Sequence, residues 1–211
     1  MTKHSIRNVV STLEVELVKL IENGYCYFGA GGALGFDTVA AQTVLHLKEK
    51  YPHIKLILVL PCVDQAKSWS YEDKVVYEDI KQKADKVVYT SKEYTRGCMH
   101  KRNRHLVDNS SACICYLTEN KGGTFYTVNY ANTKQQKIVN VAELIKKIAD
   151  VLLQNTGGCF VKQSILRKNN TTAHYKRLCS EFDHIIDHNK LPFFPSDFAC
   201  DQLRNGHMCS A

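Results

Sequence analysis

Five short apolar runs, each set apart from the next by a stretch of helical periodicity, constrain this chain more than any other feature. The runs fall at 25–29, 54–60, 86–90, 112–117 and 138–141. Between them, apolar spacing of three and four predicts helices over 36–50, 71–84, 98–109 and 124–135. A further helix precedes the first run, over 5–23, with Val9, Leu13, Leu17, Leu20 and Ile21 on one side. Another follows the last and reaches about residue 154. Strands alternating with helices require crossover connections, and these make a mostly parallel sheet covered on both faces. The runs 54–60 and 112–117 are apolar throughout rather than alternating, as doubly covered strands should be. The expected fold is α/β, a Rossmann-like three-layer sandwich with about five strands.

This domain is expected to span 1–154. Gln154-Asn155-Thr156-Gly157-Gly158 reads as a linker. A small, partly helical C-terminal extension over 155–211 follows, with Leu178, Phe182, Ile185 and Ile186 at helical spacing. It is too short to be expected to fold alone. Docking on the main domain or on a partner subunit is the expectation.

In an open parallel sheet, ligands bind beyond the carboxyl ends of the strands, so the residues after each strand define the search for a site. After the first strand comes Gly29-Ala30-Gly31-Gly32-Ala33-Leu34-Gly35, opening a helix that carries Asp37. Glycine has no Cβ, so such a turn accepts positive φ and lets backbone amides approach a ligand. The helix N-terminus beyond it favours an anion. After the second strand comes Pro61 to Trp69, and after the third Ser91 to Gly97 with Arg96. After the fourth comes Thr118 to Thr124, a second glycine-bearing turn with Glu119, Gly122 and Gly123. Four polar, glycine-bearing or basic loops thus meet on one edge.

Each signal has a plainer reading. A glycine turn can serve only strand–helix packing, and Asp37 can simply complement a helix dipole. The first turn does not match the dinucleotide fingerprint cleanly and lacks the Lys-Ser/Thr of a P-loop. Arg96, Arg102 and Arg104 carry forked donors suited to phosphate. Arg102 and Arg104 lie two apart on a helix, so at most one of them is expected to point inward.

The net charge of +7 is moderate, and part of it is concentrated in His100-Lys101-Arg102-Asn103-Arg104-His105. A solvated helix face, a nucleic-acid surface and a small-anion site are the three readings of that cluster. The third is preferred because of where the cluster sits, and nucleic acid is not the expected partner. No apolar run reaches the roughly 20 residues of a membrane span, and the opening segment is amphipathic rather than a signal core. A cytoplasmic protein is expected. Nine cysteines without a Cys-x-x-Cys pair read as small buried hydrophobes, with Cys113 and Cys115 on one strand face. His174, Cys179, His184, His188, Cys200, His207 and Cys209 form no defensible zinc pattern, so no metal is expected.

Gly32 to Ala41 resembles the glycine motif of the YpsA-like family in the SLOG superfamily. Four further stretches match that family in order: Leu60-Pro61-Cys62 with Gln65 and Trp69; Tyr94 to Met99; Arg102 to Asp108; and Gly122-Gly123-Thr124 with Thr127 and Tyr130-Ala131. The likeness covers about residues 14–141, and prophage proteins belong to the same group. It implies a Rossmann-like domain that binds nucleotides or nucleotide-derived ligands, often as a homodimer. The ligand-binding residues it points to are Gly31, Gly32, Gly35, Asp37, Pro61, Gln65, Trp69, Arg96, Arg102, Arg104, Gly122, Gly123 and Thr124.

Two departures accompany the likeness. Family members open with a strand ending in Thr-Gly-His-Arg, whereas Met1 to Arg7 offers no apolar strand and no glycine. The related LOG phosphoribohydrolases place a catalytic glutamate where this chain has Thr127, and a threonine cannot do a carboxylate's proton transfer. The favoured function is therefore a binding protein or sensor for a nucleotide-like molecule, without a further cofactor. Phosphate is expected at the two glycine turns and the arginines, with Trp69 or Tyr94 over the base. The alternatives are a hydrolase acting through Asp37 or Glu119, and an interaction module with a vestigial pocket.

Overall fold

The computed structural model describes residues 3–155. The readings made for residues 156–211 lie outside the described residues. The chain runs α1 (Lys3–Glu22), β1 (Tyr27–Ala30), α2 (Phe36–Lys50), β2 (Lys55–Leu60), α3 (Tyr71–Lys83) and β3 (Lys86–Tyr89). It continues through α4 (Cys98–Asp108), β4 (Ala112–Cys115), α5 (Gly122–Thr133), β5 (Lys137–Asn140) and α6 (Val141–Asn155). The elements expected up to about residue 154 are present in the expected order, so the α/β, Rossmann-like reading holds. Among the described residues β1 is reached directly from α1, with no strand before it.

All strand pairings are parallel. In place of one five-stranded ladder there are two hydrogen-bonded groups, β1-β2-β3 and β4-β5. The registers place Gly29 beside Ile57, Leu58 beside Val87 and Cys113 beside Ile138. β1 and β4 are only four residues long and exchange no ladder bonds, but one core joins them. Ile114 and Val139 pack in the same cluster as Phe28, Ala30, Leu56 and Leu58.

Burial explains the arrangement. β2 and β4 are buried almost end to end, and β3, at the edge, is the most exposed strand. Val9, Leu13, Leu17, Leu20 and Ile21 of α1 are all buried, as their spacing requires. β4 ends two residues earlier than its apolar run because a side chain takes over the pairing. The Asn140 amide accepts from the Leu117 amide and donates to the Leu117 carbonyl, both at 3.0 Å. Asp85 joins α2 to β2 by accepting from Lys48 at 2.6 Å and from the Leu56 amide at 2.9 Å. Among the described residues, those up to Ile145 form one compact unit, and the last turns of α6, from Lys146, belong to a second.

Candidate functional site

The turn between β1 and α2 is held open by what packs against it. Asp37, in the first turn of α2, is 1% exposed. Its Oδ2 accepts from the Ala33 amide at 3.0 Å and from Arg102 Nη1 at 3.0 Å. Arg102 reaches in from α4 and is itself 5% exposed. Its guanidinium lies directly over Gly31. A Cβ on residue 31 would stand 1.2 Å from Arg102 Nη1 and 2.7 Å from Asp37 Oδ2. Glycine at 31 is thus explained by a buried arginine, not by ligand approach alone. Burial pushes the Asp37 carboxyl up from its ordinary range, against the pull of Arg102 and the Ala33 amide.

Gly32 is fixed from the other side. It has φ +65°, and a Cβ there would lie 2.5 Å from Leu60 Cδ2 and 3.3 Å from Tyr77 Cε2. Gln65 Nε2 donates to the Gly32 carbonyl at 2.9 Å. Three buried polar atoms around this turn have no hydrogen-bond partner among the described residues: Gln65 Oε1, Tyr77 OH and Arg102 Nε. Buried polar atoms in folded proteins are nearly always bonded, so three around one turn is an unusual local concentration. Burial, with smaller contributions from Tyr89 and Glu78, pushes the Tyr77 hydroxyl well above the usual tyrosine range.

The helix starts at this edge share a second property. α2 begins after Gly35, α4 after Gly97 and α5 after Lys121, and none of the three has a side-chain cap. α3 does: Ser70 Oγ accepts from the Asp73 amide at 3.1 Å. Leading amides of an uncapped helix need an outside acceptor, and an anion is the favoured one. Gly35, Gly97 and Gly122 have φ of +92°, +92° and +82°, which side-chain-bearing residues adopt only with strain.

The remaining residues singled out by sequence fall into two groups. Pro61 and Thr124 are buried, Gly123 is half-buried, and Trp69 lies edge-on against Tyr77 with ring centroids 5.2 Å apart. Trp69 is therefore partly used in packing and is not a free platform. Arg96, Tyr94, Gly122 and Glu119 are exposed, and Glu119 pairs with Lys121 at 2.7 Å. Arg104 points away from Arg102, as their spacing requires. Its Nε donates to Tyr126 OH, and its guanidinium lies 5.7 and 5.6 Å from the Tyr126 and Tyr130 rings. Thr127 Oγ1 donates to the Gly123 carbonyl and accepts from Asn103, both at 2.8 Å, tying α4 to α5.

Tyr77 is the residue that sequence reasoning missed. It sits inside α3, and a search confined to loops after strands passes over it. Cys62 and Cys115 are buried, and burial foremost pushes their thiols up to about 11 and about 12. Neither is poised as a nucleophile. No group of three metal-ligating side chains occurs among the described residues. No described helix is long and apolar enough to cross a membrane.

Comparison with known proteins agrees with this architecture. The family model described as the YspA SLOG family, YpsA, matches residues 2–149. An SPbeta prophage-derived protein of Bacillus subtilis (strain 168), YoqJ, is 34% identical over 122 residues, covering 52% of this chain and 71% of that protein. A UPF0398 protein of Halalkalibacterium halodurans is 31% identical over 135 residues, covering 63% and 71%. A UPF0398 protein of Brevibacillus brevis is 30% identical over 129 residues, covering 60% and 69%. Among the described residues, parallel strands in groups of three and two and a glycine turn closed by a buried arginine accompany a family match over residues 2–149, and the assignment follows: the chain belongs to the YpsA family of SLOG proteins.

Proposed function

We propose that this protein binds a nucleotide or nucleotide-derived small molecule at the strand-end edge around Gly31 and Gly32. The observation that carries the reading is the group of unpartnered buried atoms there. Arg102 Nε and Tyr77 OH can donate and Gln65 Oε1 can accept, and all three surround a glycine turn leading into an uncapped helix. A phosphate on the α2 amides that also accepts from Arg102 Nε, with a hydroxyl or base edge toward Gln65 and Tyr77, satisfies that set. The uncapped starts of α4 and α5 offer further amides to a second anionic group. The family resemblance adds a homodimer, and the sequence reading adds a sensing role, a cytoplasmic location and residues 1–154 as the binding domain.

The alternative is a hydrolase acting through Asp37 or Glu119. It asks Asp37 to leave Arg102 and Ala33, or Glu119 to act from an exposed ion pair. Binding asks neither.

The test is a thermal-shift screen of mono-, di- and cyclic nucleotides and of NAD derivatives. A ligand held at a hundred times its Kd stabilises by about 2.7 kcal/mol, a rise of roughly 5–10 °C for a chain of this size. Loss of the shift in Gln65→Leu is the expected companion result. A screen in which no compound moves the transition overturns the proposal. Product on chromatography that disappears in Asp37→Asn or Glu119→Gln would establish the hydrolase instead.

A further inference from the structure

The far side of α4 carries a second feature. A groove of about 560 Å³ is lined by Gly97, His100, Lys101, Arg104, His105 and Tyr126, with Asp108 at its end. From Gly97 to Asp108 is one helix length, about 16 Å at 1.5 Å per residue. We infer that this groove is a phosphate-binding site separate from the glycine turn, with Arg104 as the group that grips the phosphate.

Three observations support the assignment. First, Arg104 is held in place without a carboxylate to neutralise its charge. Tyr126 OH accepts from Nε, and the rings of Tyr126 and Tyr130 flank the guanidinium. Among the described residues no hydrogen bond or ion pair takes its Nη nitrogens. A pre-oriented fork whose two Nη groups leave one paired N–H edge open matches a phosphate's paired oxygens. Second, the groove's one acid is neutralised. Asp108 accepts from Tyr130 OH at 2.9 Å and pairs with Lys134 at 3.0 Å, so Lys101 and Arg104 set the sign of the groove. Third, the His100 ring is fixed on Tyr126 at 4.2 Å between centroids, which places another nitrogen-bearing ring at the rim. A second copy of this face is a poor occupant, because a two-fold contact brings Lys101 and Arg104 against their own equivalents.

The phosphate can come from a small nucleotide-like anion or from the backbone of a single strand, and two probes distinguish them. Pyrophosphate is titrated by calorimetry, and a fluorescein-labelled single-stranded oligonucleotide of about 12 nucleotides is followed by anisotropy. Binding of either is expected to weaken about tenfold in Arg104→Gln, the scale of one hydrogen-bonded charge. Tyr126→Phe keeps the ring but frees Nε, and about a threefold loss is expected. Lys83→Gln removes the same charge from exposed α3 and should change nothing. A loss in Tyr77→Phe equal to that in Arg104→Gln would place the probe at the glycine turn and overturn the inference, so failure here is distinguishable from failure of the first site. Binding of neither probe overturns the inference. So does a loss in Lys83→Gln equal to that in Arg104→Gln, which reduces the effect to net charge.

Discussion

Arg102 and Arg104 stand two residues apart on one helix and have opposite fates. Arg102 is buried against Asp37 over Gly31, and Arg104 is exposed between two tyrosines. Two residues of helix are about 200° of rotation, so one must face the sheet and the other solvent. The inner arginine sits where water cannot screen it, and its charge has to be matched by a carboxylate. The outer arginine retains its solvation, and its partners orient it without neutralising it. The same residue type thus joins two helices on one face of α4 and remains available to a ligand on the other.

The contrast breaks most sharply if the inner pair is split. Asp37→Ala leaves Arg102 buried and unpaired, and a loss of about 3–5 kcal/mol is expected by urea unfolding. Arg102→Met removes the charge instead of orphaning it and should restore part of that stability in the double variant with Asp37→Leu. Arg104→Gln should lie within about 0.5 kcal/mol of wild type in the same assay. Equal losses at 102 and 104 would erase the distinction.

The glycines at the two ends give the next largest effect. Gly31→Ala drives a methyl into Arg102, and a loss of about 1–3 kcal/mol is expected, read again by denaturant midpoint. Gly97→Ala meets nothing within 4 Å, and only its φ of +92° is strained, so about 1–2 kcal/mol is expected. The two substitutions should also differ in coupling. Gly31→Ala should be far less costly in a background of Arg102→Met, whereas Gly97→Ala should not notice that change.

This asymmetry was half legible in sequence. Spacing alone limited the inward-pointing arginines to at most one of the two, and short apolar runs with helical periodicity between them placed the eleven described elements within about two residues. Which arginine turns inward depends on Asp37, 65 positions earlier, and no local pattern reports a pairing at that separation. Gly31 likewise looked like a ligand glycine, because a buried guanidinium and a phosphate demand the same missing Cβ. Tyr77 was hidden by its place in a helix, and the shortened β4 by an asparagine side chain standing in for backbone. Long-range side-chain contacts explain every one of these differences.

A smaller effect separates the acids on either side. Burial is the largest single influence on the Asp108 carboxyl and raises it, but hydrogen bonds from Lys134 and Tyr130, with the charge of Lys134, together outweigh it and hold the group below the ordinary carboxylate range. A depressed carboxylate contributes stability that is present above the unfolded value near 4 and is lost as pH falls through the folded one. Asp108 is 42% exposed, so Asp108→Asn should cost about 0.2–1 kcal/mol at pH 7. That difference should close below about pH 4. Asp85 titrates in the same direction, because bonds from Lys48, the Leu56 amide and Lys55 outweigh its burial, and it is only 19% exposed. Asp85→Asn should therefore show the larger pH-dependent gap in parallel melts.

The smallest effect on stability is the most informative about the inner face. Tyr77 OH is buried and has no partner among the described residues, so Tyr77→Phe removes an unsatisfied group while keeping the ring against Trp69 and Gly32. Without ligand the variant should be as stable as wild type or gain about 1 kcal/mol, since no hydrogen bond is lost and one desolvated hydroxyl is removed. With a stabilising nucleotide the order should reverse, because the wild type then acquires a bond the variant cannot make. A crossing of the two proteins' melting temperatures as nucleotide is added would mark the inner face as a binding surface as well as a structural joint. A clear loss of stability in the ligand-free variant would instead mean that the hydroxyl already has a partner in solution, and one of the three unpartnered groups that define the site would be withdrawn.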